Sequence, residues 1–161
     1  MAIDTIRVNG NQYSWGSIVL KVDDETLYGF TGLSYNQKRE RTKAYGAGAH
    51  HAPRGRSAGK YSAEAKLTGW RGSMQALRAK LAAKASDGAS YGNVEFQIVA
   101  EYVSNDGSEE PITVEVVDCV IASEDISDEE GPDPLKEEIG IDCMYIKKNG
   151  LTLFDNSDGA R

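Results

Sequence analysis

The sequence predicts a mainly β protein with one flanking helix, and three observations carry that prediction. Several stretches, such as 94–103, alternate apolar and polar residues in the way that a half-buried strand requires. Turn dipeptides separate these stretches, and Asn9-Gly10 and Asn149-Gly150 are of the kind that closes a tight hairpin. One stretch, 73–85, has its apolar residues at helical spacing. A chain of 161 residues can bury its own core, and we expect a single domain over 1–155.

The N-terminal part of the chain predicts strands joined by tight turns. Asn9-Gly10 predicts a first hairpin, and the change in apolar parity around Gly16-Ser17 predicts a β-bulge or a sharp bend. A turn at 23–25 then leads into a strand over 26–35. Both faces of that strand carry apolar residues, so neither face is expected to be freely exposed to water.

Residues 36–60 depart from this pattern, and we call them the basic arm. The basic arm carries seven Lys or Arg, one acid and four Gly, and no aliphatic residue larger than Ala. So long a connection without an apolar period is usually a functional loop or a disordered segment. Because it cannot bury apolar surface of its own, we expect it to become ordered on another molecule. Its bases are Lys38, Arg39, Arg41, Lys43, Arg54, Arg56 and Lys60.

A strand at 61–70 precedes the predicted helix at 73–85. Met74, Leu77 and Leu81 form one apolar stripe on that helix, which is expected to pack across an open end or edge of a sheet. Ser73 is a candidate N-cap and Gly88 a candidate C-terminal stop.

The second half of the chain returns to strands, at 94–103, 112–121 and 139–146, and ends in a hairpin at Asn149-Gly150. An acidic loop is predicted over 122–138, where eight acids accompany one Lys. Residues 156–161 are polar and are expected to fray. The acids that we expect at a subunit interface are Glu124, Asp125, Asp128, Glu129, Glu130 and Asp133.

The chain divides its charge between its two halves. Residues 1–84 hold fourteen Lys or Arg and six Asp or Glu, whereas residues 101–142 hold fifteen acids and one base. Each block repels itself, so a single compact domain gains little from this arrangement. A surface that meets another copy of itself does gain, because the basic arm of one subunit can contact the acidic loop of the next. Such a head-to-tail contact builds rings or filaments, and it predicts a self-assembling structural protein.

The sequence offers little for catalysis or for metal and cofactor binding. It contains no GxSxG, no HExxH and no phosphate-binding loop, so we expect neither an enzyme nor a cofactor. The adjacent His50 and His51 would point to opposite sides of an extended segment, which disfavours a shared metal. Asp118 interrupts an apolar strand face, either as half of a buried pair with an arginine of the basic arm or as a solvated residue near a strand end.

The two cysteines, Cys119 and Cys143, are expected to be buried thiols on strands, with a disulfide between them as the alternative. The N-terminal residues Met1-Ala2-Ile3-Asp4 lack a signal-peptide pattern, and no apolar run reaches the roughly 18 residues of a membrane helix. We therefore expect assembly in a cytosol without membrane insertion.

Three stretches, 9–22, 38–61 and 129–155, resemble a bacteriophage tail tube protein, and the likeness runs from about residue 6 to residue 155. The resemblance implies the fold of tail tubes and of the Hcp tubes of type VI secretion, a β-sandwich or barrel of two packed antiparallel sheets with one flanking α-helix. It also implies hexameric rings that stack into a hollow conduit for DNA, with the basic arm reaching between rings.

The implied setting is the tail of a virion, assembled in the bacterial host cytoplasm. The implied partners are other copies of the chain, a sheath protein of a contractile tail, a tape-measure protein, a baseplate and a tail terminator. Two other functions remain open: an Hcp-type tube protein of a secretion or injection system, and a small nucleic-acid-binding β-domain that uses the basic arm. The net charge of −7 disfavours general nucleic-acid binding.

Overall fold

The computed structural model describes residues 18–48, 51–103 and 110–153, which form eleven strands and one α-helix. The helix, α1, spans Arg71–Lys84, and a 3₁₀ turn follows at Tyr91–Asn93. The strands are β1 (Ile18–Val22), β2 (Glu25–Thr26), β3 (Phe30–Arg39), β4 (Lys43–Ala44), β5 (Gly55–Arg56), β6 (Tyr61–Trp70), β7 (Phe96–Tyr102), β8 (Ile112–Ile126), β9 (Lys136–Cys143), β10 (Tyr145–Lys148) and β11 (Leu151–Thr152).

The larger strands form two antiparallel sheets that share β8. The first sheet has the order β2-β1-β7-β8-β10-β11, and the second has the order β3-β6-β9-β8. The N-terminal half of β8 pairs with β7 and β10, and its C-terminal half, from Val120, pairs with β9. The described part of the chain is therefore mainly β with antiparallel sheets and one α-helix, as the sequence predicts.

A β-bulge at Asp118 marks the place where β8 passes from the first sheet to the second. Asp118 has a φ of +52°, and the ladder between β7 and β8 shifts its register beside it. A bulge of this kind bends a strand and increases its twist. The side chain of Asp118 is exposed. The predicted alternative of a buried pair with an arginine of the basic arm is therefore wrong, and the residue lies within β8 rather than near its end.

The core lies between the two sheets and under α1. Val22, Leu67, Ile98, Val116 and Ile139 are completely buried at alternate positions of their strands. The stripe of α1 that was predicted from helical spacing, Met74, Leu77 and Leu81, is buried in the same apolar cluster. The helix thus covers the core with the face that the sequence indicates.

The ends of α1 differ from the predicted ones. Its N-cap is Trp70, in extended conformation, and Arg71 rather than Ser73 is the first helical residue. The Arg71 backbone N–H donates to the Leu135 carbonyl at 3.1 Å, which satisfies one of the first-turn donors that have no partner within the helix. The helix ends at Lys84, and Gly88 adopts its left-handed conformation in the turn beyond.

The predicted loop over 122–138 is wrong at both ends. β8 continues to Ile126 and β9 begins at Lys136, so that Glu124 lies opposite Ile139 and Asp125 opposite Glu138. Pairing between β8 and β9 satisfies the backbone N–H and C=O groups here, even though the side chains are mostly acidic. The loop itself comprises residues 127–135, and the name "acidic segment" is used below for 124–133.

The tight turns agree with the sequence where the structure describes them. Asn149 and Gly150 have φ values of +50° and +76° and join β10 to β11 as a hairpin. Asp23 and Asp24, at +47° and +67°, likewise join β1 to β2. The predicted strand 26–35 is divided between β2 and β3, and Tyr28 between them is exposed rather than covered. The Asn9-Gly10 hairpin, the Gly16-Ser17 bend and residues 156–161 lie outside the described residues.

The bulge can be tested by substituting Asp118. Asp118→Val is expected to lower the free energy of unfolding by about 1–2 kcal/mol, because a β-branched residue is strained at positive φ. Asp118→Gly serves as the matched control and should remain within about 0.5 kcal/mol of the parent, because glycine adopts this conformation freely. Urea unfolding curves measure both, and equal stability of the two variants would contradict the bulge geometry.

Candidate assembly surfaces

The basic arm is a two-stranded ribbon that continues the β3–β6 hairpin. Its first four residues complete β3, and β4 then pairs with β5. The Gly59 N–H donates to the Glu40 carbonyl at 2.7 Å, and the Ser57 N–H donates to the Thr42 carbonyl at 2.8 Å. The described backbone of the basic arm therefore pairs with itself, which corrects the expectation that it becomes ordered on another molecule.

Most of the described side chains of the basic arm face solvent. Arg39 is half-buried, and its Nε donates to the Gly59 carbonyl at 3.1 Å. The β4–β5 register places Lys43 directly opposite Arg56, and like charges in that position destabilise a strand pair. Tyr45 is exposed beside them. The exposed bases are Lys38, Arg41, Lys43, Arg54, Arg56 and Lys60.

The acidic segment lies at the end of the second sheet, beside α1, and two of its acids have partners within the subunit. The Glu124 carboxylate accepts from Arg78 Nε at 2.9 Å and from the Tyr91 hydroxyl at 3.0 Å. Asp128 forms an ion pair with Arg71. The hydrogen bond to Asp128 raises the pKa of Arg71 above its ordinary value. Glu124 and Asp128 therefore help to hold α1 in place.

The other acids of the segment are exposed. No side chain in the described part of the chain forms an ion pair with them, so their charge is directed to solvent. They are Asp125, Glu129, Glu130 and Asp133.

A buried ion pair between Arg78 and Glu137 joins α1 to β9. Glu137 is 4% exposed and Arg78 is 8% exposed, and their charged groups are 2.5 Å apart. Arg71 Nε also donates to Glu137, at 3.0 Å. Burial lowers the pKa of Arg78, but the hydrogen bonds to Glu137 and Glu124 raise it, and the net change is upward.

Sequence reasoning placed Glu137 in a solvated loop and missed this cluster. The available signal was parity, because Glu137 shares its face of β9 with the buried Ile139 and Ile141. The cluster also shows that part of the divided charge is neutralised within one subunit, by arginines from the basic half and acids from the acidic half.

Ile126, at the end of β8, is an apolar side chain among charged residues, of which four are acids and two, Arg78 and Lys136, are bases. It is 51% exposed and contributes to two shallow grooves of about 440 and 400 Å³. The first groove runs along α1 past Tyr91 and Glu124, and the second passes Asp125 and Glu138. Because the acids outnumber the bases around Ile126, the grooves are suited to a partner that combines an aromatic ring with bases.

Several solved structures share this architecture. The anti-feeding prophage cap, a tube terminating cap, matches with a TM-score of 0.60 and 16% identity, over 94% of this chain and 99% of that one. The SPP1 tail tube matches with a TM-score of 0.58 and 10% identity, over 88% and 81% of the two chains. Hcp1 from Flavobacterium johnsoniae matches with a TM-score of 0.52 and 16% identity, over 86% and 98%. The chain has the Hcp-like tube fold.

The Hcp-like tube fold confirms the fold class that the sequence resemblance implies. Because the sequence identities are only 10–16%, the likeness to these structures is a likeness of fold alone. No protein-family model matches the chain, and no curated protein matches it in sequence.

The described residues contain no cluster of side chains that could hold a metal ion. Across 18–48, 51–103 and 110–153, no three His, Cys, Asp or Glu side chains are grouped as ligands. His51 is exposed, with a φ of +65°, and His50 is outside the described residues. In the same ranges no helix is both long and apolar enough to cross a membrane.

The buried ion pair can be tested by removing one partner or both. Arg78→Met is expected to lower the free energy of unfolding by about 3 kcal/mol, because Glu137 would remain buried with one cation fewer. The double variant Arg78→Met, Glu137→Leu should recover most of that loss, because no carboxylate is left buried without its cation, while Arg71 keeps Asp128 and Glu124 keeps the Tyr91 hydroxyl. Chemical denaturation measures the difference, and an additive loss in the double variant would contradict the pairing.

Proposed function

We propose that the chain is the structural subunit of a tail tube, in which hexameric rings stack into a hollow conduit for DNA ejection. The observation that carries this proposal is the fold, which matches a tube terminating cap over 94% of the chain and a tail tube over 88%. The role is structural and not enzymatic, and the place is the virion tail, with assembly in the cytoplasm of the bacterial host.

Ring closure is supported by the edge of the second sheet. β3 has ten residues and, among the described strands, pairs with β6 alone. A long open edge offers unpaired backbone groups to another chain, and a closed ring removes such edges. The exposed Tyr28, just before β3, would be covered by the neighbouring subunit in the same contact.

Stacking of rings is supported by the two charged surfaces. An acidic partner would relieve the repulsion between Lys43 and Arg56 on the basic arm, and the exposed acids of the acidic segment provide such a partner. Tyr45 and Ile126 add one apolar side chain on each side. We therefore pair the basic arm of one ring with the acidic segment of the next.

The strength of the stack comes from repetition. An exposed ion pair contributes about 0–1 kcal/mol, so no single pair holds two rings together. Six copies of the same set of contacts act together between rings, and apolar burial at Tyr45 and Ile126 adds to each copy. Because the pairs are exposed, assembly should weaken as salt concentration rises.

The conduit must let DNA pass without holding it. We expect negative or neutral tube walls, which would not hold phosphate, and the net charge of −7 is in keeping with that need. DNA is thus a transient passenger.

The further partners that we propose are a tail sheath, a tape-measure protein, a baseplate and a tail terminator. The likeness to Hcp1 from Flavobacterium johnsoniae supports a second setting for the same tube, in a secretion or injection system. Genes for a capsid and a tape-measure protein beside this gene would favour the virion, and their absence there would favour the injection system.

Nucleic-acid binding by the basic arm is the other candidate, and it is favoured by the exposed bases on one ribbon. If the basic arm binds DNA, the protein should be retained on DNA-cellulose and released over a narrow range of salt, because each phosphate contact releases counterions. A tube subunit should flow through.

The basic arm can be tested by replacing Arg39, Arg41, Arg54 and Arg56 together with alanine. The variant should remain folded by circular dichroism but assemble poorly, because its contacts to the next ring are lost. Sedimentation velocity and electron microscopy measure the assembly. Tubes of normal length from this variant would contradict the role given to the basic arm.

Two matched variants complete that test. Lysine at the same four positions keeps the charge and should retain most assembly, and Arg39→Ala alone controls for the hydrogen bond to Gly59. The reciprocal change neutralises the acids that have no partner in the described subunit and should impair assembly without lowering stability. Those changes are Asp125→Asn, Glu129→Gln, Glu130→Gln and Asp133→Asn.

A further inference from the structure

We propose that Cys119 and Cys143 are a latent disulfide pair, which the fold places in position at the corner shared by the two sheets. This inference is independent of the proposed tube function. Both thiols are free in the structure. What points to a bond is their position across two paired strands.

The register of β8 with its neighbours places the two residues opposite each other. Val117 lies opposite Tyr145 on β10, and Val120 lies opposite Asp142 on β9. The two pairs have the same register, because Val117 and Val120 are three positions apart, as are Asp142 and Tyr145. One step from Val120 towards Val117, and one step from Asp142 towards Tyr145, therefore places Cys119 across from Cys143. The Met144 N–H donates to the Val117 carbonyl at 3.1 Å, which keeps the two strands together at this point.

The two side chains also point to the same side. Cys119 is 0% exposed and Cys143 is 5% exposed, and both belong to the core cluster between the sheets. Directly opposite residues of an antiparallel pair have Cα atoms about 4.5 or 5.5 Å apart. Both spacings fall within the range of about 4.4–6.8 Å that a disulfide spans. The backbone therefore needs no large movement for the bond to form.

The reduced pair is protected while the subunit stays closed. Burial raises the pKa of Cys119 to about 12, with a further contribution from the neighbouring Cys143, and burial raises the pKa of Cys143 to about 11. The Cys119 Sγ donates to the Val116 carbonyl at 3.2 Å, which also favours the thiol form. The thiolate is the reactive species, so near neutral pH the pair reacts slowly unless this corner opens or the chain is still folding.

The bond would form by exchange with a small-molecule disulfide such as oxidised glutathione. One cysteine thiolate attacks a sulfur of that oxidant, forming a mixed disulfide and releasing one glutathione thiol. The second cysteine attacks the protein sulfur of the mixed disulfide and releases the second glutathione thiol. The protein loses two S–H protons and gains one S–S bond, while the oxidant's S–S bond is reduced to two thiols.

A bond here would fix β8 to β9 beside the bulge at Asp118. The corner between the sheets would then be covalently closed in an oxidising environment and open to separation in a reducing one. Since the residues lie in the core, the bond would change the stability of the subunit without altering its charged surfaces.

The test compares the oxidation equilibrium of the folded chain with that of the unfolded chain. The purified full-length protein is equilibrated in glutathione redox buffers, with and without concentrated urea, starting from both the reduced form and the oxidised form. Acid quenching, alkylation of free thiols and mass spectrometry then give the fraction of each species. The folded chain should favour the intramolecular bond by roughly 30- to 1000-fold over the unfolded chain, which is the linkage equivalent of the stabilisation a native disulfide gives.

The oxidised protein should also unfold at a temperature about 5–10 °C higher than the reduced protein. Cys119→Ala is the control, because it leaves one thiol and should take up little glutathione when folded. An equilibrium that does not favour the bond in the folded chain would overturn the proposal. So would glutathione adducts or intermolecular crosslinks as the main products, or uptake by Cys119→Ala equal to the thiol loss of the parent.

Discussion

β8 pairs with β7 and β10 along its first half and with β9 along its second half, and the relation of the two sheets depends on this shared strand. On the β9–β10 side the register is the same before and after the corner, whereas on the β7 side it shifts at the bulge. Asp118 absorbs the difference in a left-handed conformation. The core-facing sides of the two sheets meet at this corner of β8, and Cys119 and Cys143 are buried beside it.

Charge serves two physically different purposes in this chain. Between α1 and the ends of β8 and β9, Arg78 and Glu137 are almost entirely buried, where desolvation is costly and each charge depends on its partner. On the basic arm the charges remain solvated and Lys43 faces Arg56, an arrangement that contributes nothing favourable to the isolated subunit. The first arrangement fits the maintenance of a fold, and the second fits recognition of an oppositely charged surface.

The elements that depend on a local sequence pattern could be predicted from the sequence. The Asn149-Gly150 turn was predictable because Asn and Gly tolerate the positive φ that both residues adopt. The helix was predictable from the spacing of its apolar residues, and the burial of both cysteines from their place in apolar strands. The sequence did not reveal the extension of β8 to Ile126, because the residues there are held by backbone pairing with β9 and are not marked by alternating apolar side chains. The burial of Glu137 was missed for a different reason, since its arginine partners come from a helix more than fifty residues earlier. The self-pairing of the basic arm is likewise a backbone property that an apolar period cannot show.

The most direct measurement is electron microscopy of the purified chain, combined with sedimentation at near-physiological salt and high protein concentration. A tube subunit should give hollow rings with six-fold symmetry, or stacks of such rings, and a sedimentation boundary that moves to larger species as concentration rises. A compact monomer at every concentration, with no rings in the images, would contradict the proposed function.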